Sequence, residues 1–311
     1  MAGNRPSQLP KGLVLAIFGP TASGKTAVAE EVADRIGGEV LSADSMQAYE
    51  GLPILTAQPK RPTRLVGIWP LTHEGSVAEF AEQAQAAIDE LLEAGRTPVL
   101  AGGTGLYLRA SLAELELPPA PALEQRERWE RAYDRLGPDR AYAVLADRDP
   151  DAAARVHPND RRRVVRALEL SELGSSLRPA SDRLWAPEAR HPTMIFGLEV
   201  PREVLLERIE QRVRAMFEAG VVEEARRALT GPVSSTAIHA LGLREVTELP
   251  REEAAEALIV RTRRYAAYQR KWMRRIPGLV SVNADRPAGE VANEIVQVAS
   301  ARERLPAGRA G

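Results

Sequence analysis

Residues 13–18, LVLAIF, are apolar without interruption, and residues 27–36, AVAEEVADRI, carry apolar positions at helical spacing. The first pattern predicts a strand buried on both faces and the second an amphipathic helix. The pair Gly37-Gly38 ends that helix. EVLSADS (39–45) predicts a second short strand that ends at Asp44. VAEFAEQAQAAIDELLEAG (77–95) predicts a long helix with a glycine stop, and TPVLAGGTG (97–105) a buried strand opening into glycines at Gly102. Strand–helix–strand–helix–strand in this order predicts an α/β fold, a parallel sheet flanked by helices.

The pattern then changes. LELPPAPAL (115–123) is a proline-rich joint, and from Glu124 to about Leu173 the spacing is helical, with breaks at Gly137-Pro138 and His157-Pro158. Residues 174–192 read as loop. TMIFGLEV (193–200) returns to the strand pattern and leads into a helix through Ala219, while LVSVN (279–283) and VANEIVQVA (291–299) predict a last strand and a last helix. The final ten residues, from Arg302, read as a frayed tail. A helical module inserted into one sheet explains this order better than two successive domains. The expected division is a catalytic core from 12 to 116, a helical insertion domain from 117 to 192, and the rest of the core from 193 to 300.

Composition narrows the classes. A chain of 311 residues, 44% hydrophobic, suits one large domain or a domain with an insertion. Charged residues make up 27% but balance to a formal net charge of -1, which argues against a uniformly basic nucleic-acid binder and leaves room for local basic patches. The absence of cysteine excludes disulfides and cysteine-ligated zinc, and fits a cytoplasmic protein. No apolar run approaches the roughly 20 residues that span a bilayer. GLVLAIF (12–18) runs into a glycine loop rather than a cleavage site, so it reads as a strand and not a secretory leader. Of the 42 basic residues only four are lysine, Lys11, Lys25, Lys60 and Lys271, so a lysine inside a glycine-rich loop stands out.

That loop is GPTASGKT: Gly19, Pro20, Thr21, Ala22, Ser23, Gly24, Lys25 and Thr26. It fits G-x4-G-K-[ST] between a buried strand and a helix, the setting a phosphate loop needs. The glycines let backbone N–H groups turn inward around an anion, and the helix adds its positive end. Lys25 supplies a point charge, and the Thr26 hydroxyl can ligate Mg²⁺. The motif indicates a diphosphate or triphosphate without naming the molecule that carries it.

Ligands of an open parallel sheet sit beyond the carboxyl ends of its strands. Asp44 stands at one such end, where it suits either metal support or a general base. Thr104 stands at another, where it suits either a helix cap or a contact to the reacting group. Arg208 and Arg212 fall at i, i+4 on one helix; they are either a solvated stripe beside Glu207 and Glu210 or a pair from which one arginine reaches a leaving phosphate. Two stretches are locally basic. RVHPNDRRRVVRALEL (155–170) carries Arg155, Arg161, Arg162, Arg163 and Arg166, and RTRRYAAYQRKWMRR (261–275) carries seven basic residues and no acidic one. Both suit phosphate contacts. Tyr265, Tyr268 and Trp272 in the second stretch have core spacing, so they are expected to be mostly buried, with the arginines opposite them facing a polyanion.

The residues as a set resemble the tRNA dimethylallyltransferases, or tRNA isopentenyl transferases. GPTASGKT, SADS followed by TAQP, AGGTGLYLRA, DPDAAARVHPNDRRRVVRALE, RIEQR and GLREV occur in that family's order and close to its spacing, over roughly residues 13–275. The resemblance implies transfer of a five-carbon allyl group from dimethylallyl diphosphate to the exocyclic amine of an adenosine beside the tRNA anticodon, with Mg²⁺. It implies Asp44 as the base, Thr104 near the bridging oxygen, and Lys25 and Arg212 on the diphosphate. It places Ser45, Met46 and Gln47 with Asp44 and Thr104 on the target nucleotide. Arg126, Arg162, Arg163, Val164, Val165 and Arg166 then fall on the anticodon stem-loop, gripped by the helical insertion, and the adenine must leave its stack. A monomer is expected.

The chain departs from the family pattern at Gln58, where lysine is usual, at Thr63-Arg64, where a histidine pair is expected, at Leu243 in place of tyrosine, and at Ala267-Tyr268 in place of Lys-Arg. These positions touch RNA-facing segments more than the diphosphate site. An adenylate isopentenyltransferase acting on free nucleotide is therefore the alternative, followed by an ATP-dependent small-molecule kinase and by an RNA-binding protein without catalysis. The arginine clusters and the insertion argue against a free-nucleotide acceptor, which needs neither.

Overall fold

The computed structural model describes residues 9–118, 122–177 and 183–301, so the frayed tail expected from Arg302 lies outside the described residues. The chain forms two compact units, one from residues 1–114 with 184–311 and one from 115–183.

The larger unit is built on a five-stranded sheet. Strand β1 (Val14–Phe18) leads through the glycine loop into α1 (Lys25–Ile36), followed by β2 (Glu39–Ser42), α2 (Val77–Glu93), β3 (Pro98–Gly102) and α3 (Gly105–Leu112). All strands run parallel in the order β2-β3-β1, continued by β4 (Thr193–Glu199) and β5 (Val280–Asn283). Leu15 is in register with Val99 on one side and Met194 on the other. Every residue of β1 is buried. Its side chains alternate between two cores, as a strand covered on both faces requires. Leu15 and Ile17 pack with Val28, Val32 and Phe196, and with Val291 and Ile295 of the final helix. Val14, Ala16 and Phe18 pack with Phe80, Ile88 and Leu91 of α2 and Leu108 of α3. Fully burying a side chain such as Phe18 contributes about 1.5–3 kcal/mol.

Local signals set the helix ends. Ser76 caps α2 by accepting the Glu79 N–H at 3.1 Å. Gly37 ends α1 in the left-handed region at φ 66°, which suits glycine. After α3 the chain enters the inserted unit, with α4 (Leu123–Leu136), α5 (Pro138–Arg148), α6 (Pro150–Ala153) and α7 (Arg161–Glu172). Its core joins Tyr133, Leu145, Val156, Val164, Val165 and Leu168. Besides the two expected breaks, Asp149 interrupts the run, with Pro150 opening α6 and the Asp149 carboxylate accepting the Ala152 N–H at 2.9 Å. Beyond β4 the larger unit continues with α8 (Arg202–Glu218), α9 (Val221–Ala228), α10 (Leu243–Glu248), α11 (Arg251–Met273) and, after β5, α12 (Ala288–Ala301).

The far boundary of the insertion differs from the sequence expectation: residues 184–192 belong to the larger unit. The cause is Arg109, a fully buried guanidinium on α3 that donates to the carbonyls of Leu184 at 3.0 Å and Ala186 at 2.7 Å. Arg190 and His191 add bonds to Asp89 at 3.0 and 2.7 Å. A segment without regular pattern is thus held by side chains that its own sequence does not reveal.

Candidate functional site

The glycine loop, the turn after β2 and the turn after β3 meet at the carboxyl edge of the sheet. A cavity of about 960 Å³ opens there, and Thr21, Lys25, Thr26, Asp44, Arg212 and Tyr265 are among the residues that line it. The loop is bent for an anion: Ala22 has φ 63° and Gly24 φ 86°. For a residue with a Cβ such as Ala22 the left-handed region costs roughly 1–2 kcal/mol, so the rest of the site must hold it there.

Two side chains from distant helices do so through Thr21. Arg212 of α8 donates to the Thr21 hydroxyl at 3.2 Å. Gln269 of α11, nearly fully buried, accepts the Thr21 N–H at 2.7 Å and donates to the Gly103 carbonyl at 3.0 Å. The turn after β3 leaves no room for side chains. A Cβ on Gly102 would stand 2.3 Å from the Ala43 carbonyl oxygen, and one on Gly103 would stand 2.2 Å from the Gln269 amide nitrogen.

The strand β2 ends at Ser42, so Asp44 stands two residues past it in a turn rather than at the strand's own end. The Asp44 carboxylate accepts the Met46 N–H at 3.1 Å, which fixes its direction. Its negative charge acts on Lys25, Arg212 and Tyr265. Burial pulls the Lys25 amine down to about 8; Asp44 opposes that shift and Arg212 adds to it. Burial also lowers Arg212, again opposed by Asp44. The Tyr265 hydroxyl is pushed up by burial first and by Asp44 second, so it keeps its proton. Thr104 occupies the N-cap position of α3 without making a cap bond, and its hydroxyl lies 3.4 Å from that of Tyr265. Of its two sequence readings, the cap is therefore not the one the geometry adopts.

The arginine pair on α8 divides. Both line the cavity, but Arg208 bonds Asp285 at 2.9 Å while Arg212 donates to Thr21. Glu210 pairs with Arg214 and Arg263 and leaves Arg212 free of a carboxylate neighbour on its own helix. The expectation of a mostly core Tyr265, Tyr268 and Trp272 holds for Trp272, which packs half-buried on the core of Phe18 and Leu108, and needs correction for the two tyrosines. Tyr265 lines the cavity and Tyr268 is 53% exposed. Ala254, Leu258, Ile259, Thr262, Ala266, Gln269 and Met273 are the buried side of α11.

Ser45, Met46 and Gln47 all line the cavity, yet Gln47 is already committed. It accepts the Ser42 hydroxyl at 2.8 Å and donates to the carbonyls of Thr56 and Ala57, so its amide shapes the loop rather than reaching outward. Glu224, which the sequence reading passed over, accepts the N–H groups of Ile54 and Leu55, both at 2.8 Å, and holds the same loop from α9. In the inserted unit Arg162 and Arg163 are exposed, and their side chains have no partner among the described residues. Arg126 and Arg166 converge on the buried carboxylate of Glu169 at 3.3 and 3.0 Å. Val164 and Val165 are buried in that unit's core, so their side chains support α7 and face no solution ligand.

The departures also find places. Gln58 donates to the carbonyls of Gln47 at 3.2 Å and Tyr49 at 2.7 Å. Leu243 is fully buried in the core between α8, α10 and α11. Arg64 is taken by Glu39 and Glu90.

The donor set suits Mg²⁺ held partly by its substrate. Thr26 offers a hydroxyl and Asp44 a carboxylate at one cavity, and no group of three or more metal-ligating side chains occurs among the described residues. Magnesium is commonly bound by one or two protein oxygens together with substrate phosphates. Among the described residues no helix is long and apolar enough to cross a membrane.

Comparison with known proteins bears on all of this. The family model described as IPP transferase matches residues 47–276, and one described as isopentenyl transferase matches residues 12–66. A tRNA dimethylallyltransferase of Corynebacterium jeikeium is 41% identical over 88% of this chain and 92% of its own length. One from Streptomyces coelicolor is 40% identical over 86% of this chain and 89% of its own. The crystal structure of the full-length tRNA isopentenylpyrophosphate transferase from Bacillus halodurans superposes with a TM-score of 0.66 at 32% identity, covering 95% of this chain and 100% of that one.

Proposed function

The chain belongs to the tRNA dimethylallyltransferase family, and we infer that it transfers a dimethylallyl group from dimethylallyl diphosphate to the exocyclic amine of an adenosine beside the tRNA anticodon. The observation that carries this reading is the convergence of a phosphate loop, the Lys25 and Arg212 cations and the Asp44 carboxylate on one cavity. The free-nucleotide and kinase alternatives are not favoured: the relatives act on tRNA by name, and they cover most of this chain.

The chemistry follows from the site. The bond between the allyl carbon and its diphosphate oxygen breaks as a bond from that carbon to the adenine nitrogen forms. Negative charge then grows on the departing diphosphate. Loop N–H groups, Lys25 and Arg212 are aimed where that charge develops, and such pre-set donors are the largest source of rate in many enzymes. When bound, Mg²⁺ adds further positive charge on the diphosphate, with Thr26 as its protein ligand. The adenine amine is a weak nucleophile, since its lone pair is shared with the ring. Asp44 accepts its proton as the new bond forms. Thr104 and the protonated Tyr265 lie beside this path and orient the bridging oxygen and the acceptor.

Arg162 and Arg163 are proposed to contact RNA phosphates, and Arg126 and Arg166 to do so while anchored on Glu169. A cytoplasmic monomer is proposed: a tRNA substrate is in keeping with that compartment, and the cavity residues named here belong to one chain. The test is incubation with labelled dimethylallyl diphosphate and Mg²⁺, offering undermodified tRNA, AMP and ATP separately. Label is expected in tRNA. Label in AMP or ATP but not tRNA would replace this reading with the free-nucleotide one.

A further inference from the structure

The Gln269 side chain reaches the phosphate loop from a helix 248 residues away in sequence from the N–H it accepts. We infer that Gln269 is the positioning residue that locks the phosphate loop to the glycine turn after β3, so that donor and acceptor sites are held as one rigid unit. The inference deepens the reading above and rests on it in one respect, that the loop's ligand is a diphosphate.

Three features support it. First, Gln269 is 1% exposed, and both ends of its amide are engaged, the oxygen by Thr21 N–H and the nitrogen donating to the Gly103 carbonyl. A buried amide satisfied at both ends has one orientation. Second, Thr21 precedes Ala22, whose φ of 63° an alanine rarely adopts. Fixing Thr21 by its N–H restrains the loop immediately before its strained residue, while Arg212 holds the Thr21 hydroxyl from the other side at 3.2 Å. Third, Gly103 is followed by Thr104, and Tyr265 lies one turn before Gln269 on α11. The Tyr265 hydroxyl approaches that of Thr104 at 3.4 Å. One amide thus bonds both the diphosphate loop and the turn that carries Thr104, and Tyr265 of the same helix reaches that turn as well.

The arrangement makes a specific statement about Thr21. Its N–H is spent on Gln269 and is not a phosphate donor, so it must be protected from solvent exchange before any ligand arrives. The experiment combines amide exchange of the wild-type protein with titration of inorganic diphosphate and Mg²⁺ into wild type, Gln269→Leu and Gln269→Glu. Gln269→Glu keeps an acceptor for Thr21 and loses the donor to Gly103.

Slow exchange at Thr21 is expected in the wild type. Gln269→Leu is expected to weaken diphosphate binding by about tenfold, the scale of one buried hydrogen bond. Gln269→Glu, which sets a carboxylate against the Gly103 carbonyl oxygen in the same cavity, should weaken it at least as much. In both variants kcat should drop while KM for an anticodon stem-loop stays near wild type, a split that general loss of structure does not produce. Rapid exchange at Thr21 would overturn the inference even if no variant folds. So would diphosphate affinity within twofold of wild type in a folded Gln269→Leu, or a parallel loss of RNA affinity. A wild type that binds diphosphate but prenylates no RNA would instead remove the proposed reaction and leave Thr21 exchange and the titration to decide this one.

Discussion

Arg212 donates to the Thr21 hydroxyl at 3.2 Å, which ties the second half of α8 to the tip of the phosphate loop. The guanidinium is thereby aimed into the cavity. Replacing it with glutamine removes a charge where negative charge is proposed to grow. Turnover is expected to fall by about 10²–10³-fold, as for loss of one pre-set donor. Affinity for the RNA should change little. Steady-state rates set beside RNA binding by filter retention check both halves.

Asp44 is oriented by its bond to the Met46 N–H at 3.1 Å. Asp44→Asn keeps the shape of that turn and removes the proton acceptor. Single-turnover rates are expected to drop by about 10²–10⁴-fold, the range for general bases. Retention of near-normal rates would take Asp44 out of the base role.

Lys25 gives a pH dependence with a definite sign. Its amine is held at about 8, chiefly by burial. Diphosphate prefers the ammonium form. Below that value the charge is already present, and affinity should be flat. Above it, binding must draw in a proton, so affinity should fall by up to about tenfold for each pH unit. Calorimetry in buffers of different ionisation enthalpy should detect proton uptake that grows as pH rises. Affinity unchanged across that range would mean that Lys25 does not meet the anion.

In the inserted unit Arg163 and Glu169 separate binding from stability. Arg163 is exposed and its side chain has no partner among the described residues, so Arg163→Ala should weaken tRNA binding and lower the slope of log affinity against log salt by about one, with the melting temperature unchanged. Glu169 is fully buried between Arg126 and Arg166. Glu169→Ala removes the carboxylate that both guanidinium groups share and should cost about 1–3 kcal/mol, read by urea unfolding.

The sheet and the phosphate loop were legible in the sequence because each is local. A doubly buried strand must be apolar along its length, and β1 is; the loop's glycines and lysine lie within eight consecutive positions. What escaped depends on contacts across the chain. Gln269 and Glu224 sit on helices whose spacing gives no hint that one grips Thr21 and the other Ile54 and Leu55. Residues 184–192 read as a loop of the insertion because their fold comes from Arg109, an arginine that hydropathy places at the surface and the structure buries. Tyr268 fits an apolar spacing that its neighbours satisfy and it does not, since α11 turns Ala266, Gln269 and Met273 inward instead.

The strand order carries a consequence for how the protein is made. β1 lies at the middle of the sheet between β3 and β4, yet β4 begins only at Thr193, after the whole inserted unit. A ribosome must therefore complete α4–α7 while one edge of β1 still lacks its neighbour. The inserted helices can pack locally in that interval, but the unpaired edge of β1 stays open to other nascent chains. Translation pauses or stop codons before Thr193 should yield products that need chaperones or aggregate, whereas those past Asn283 can close the sheet.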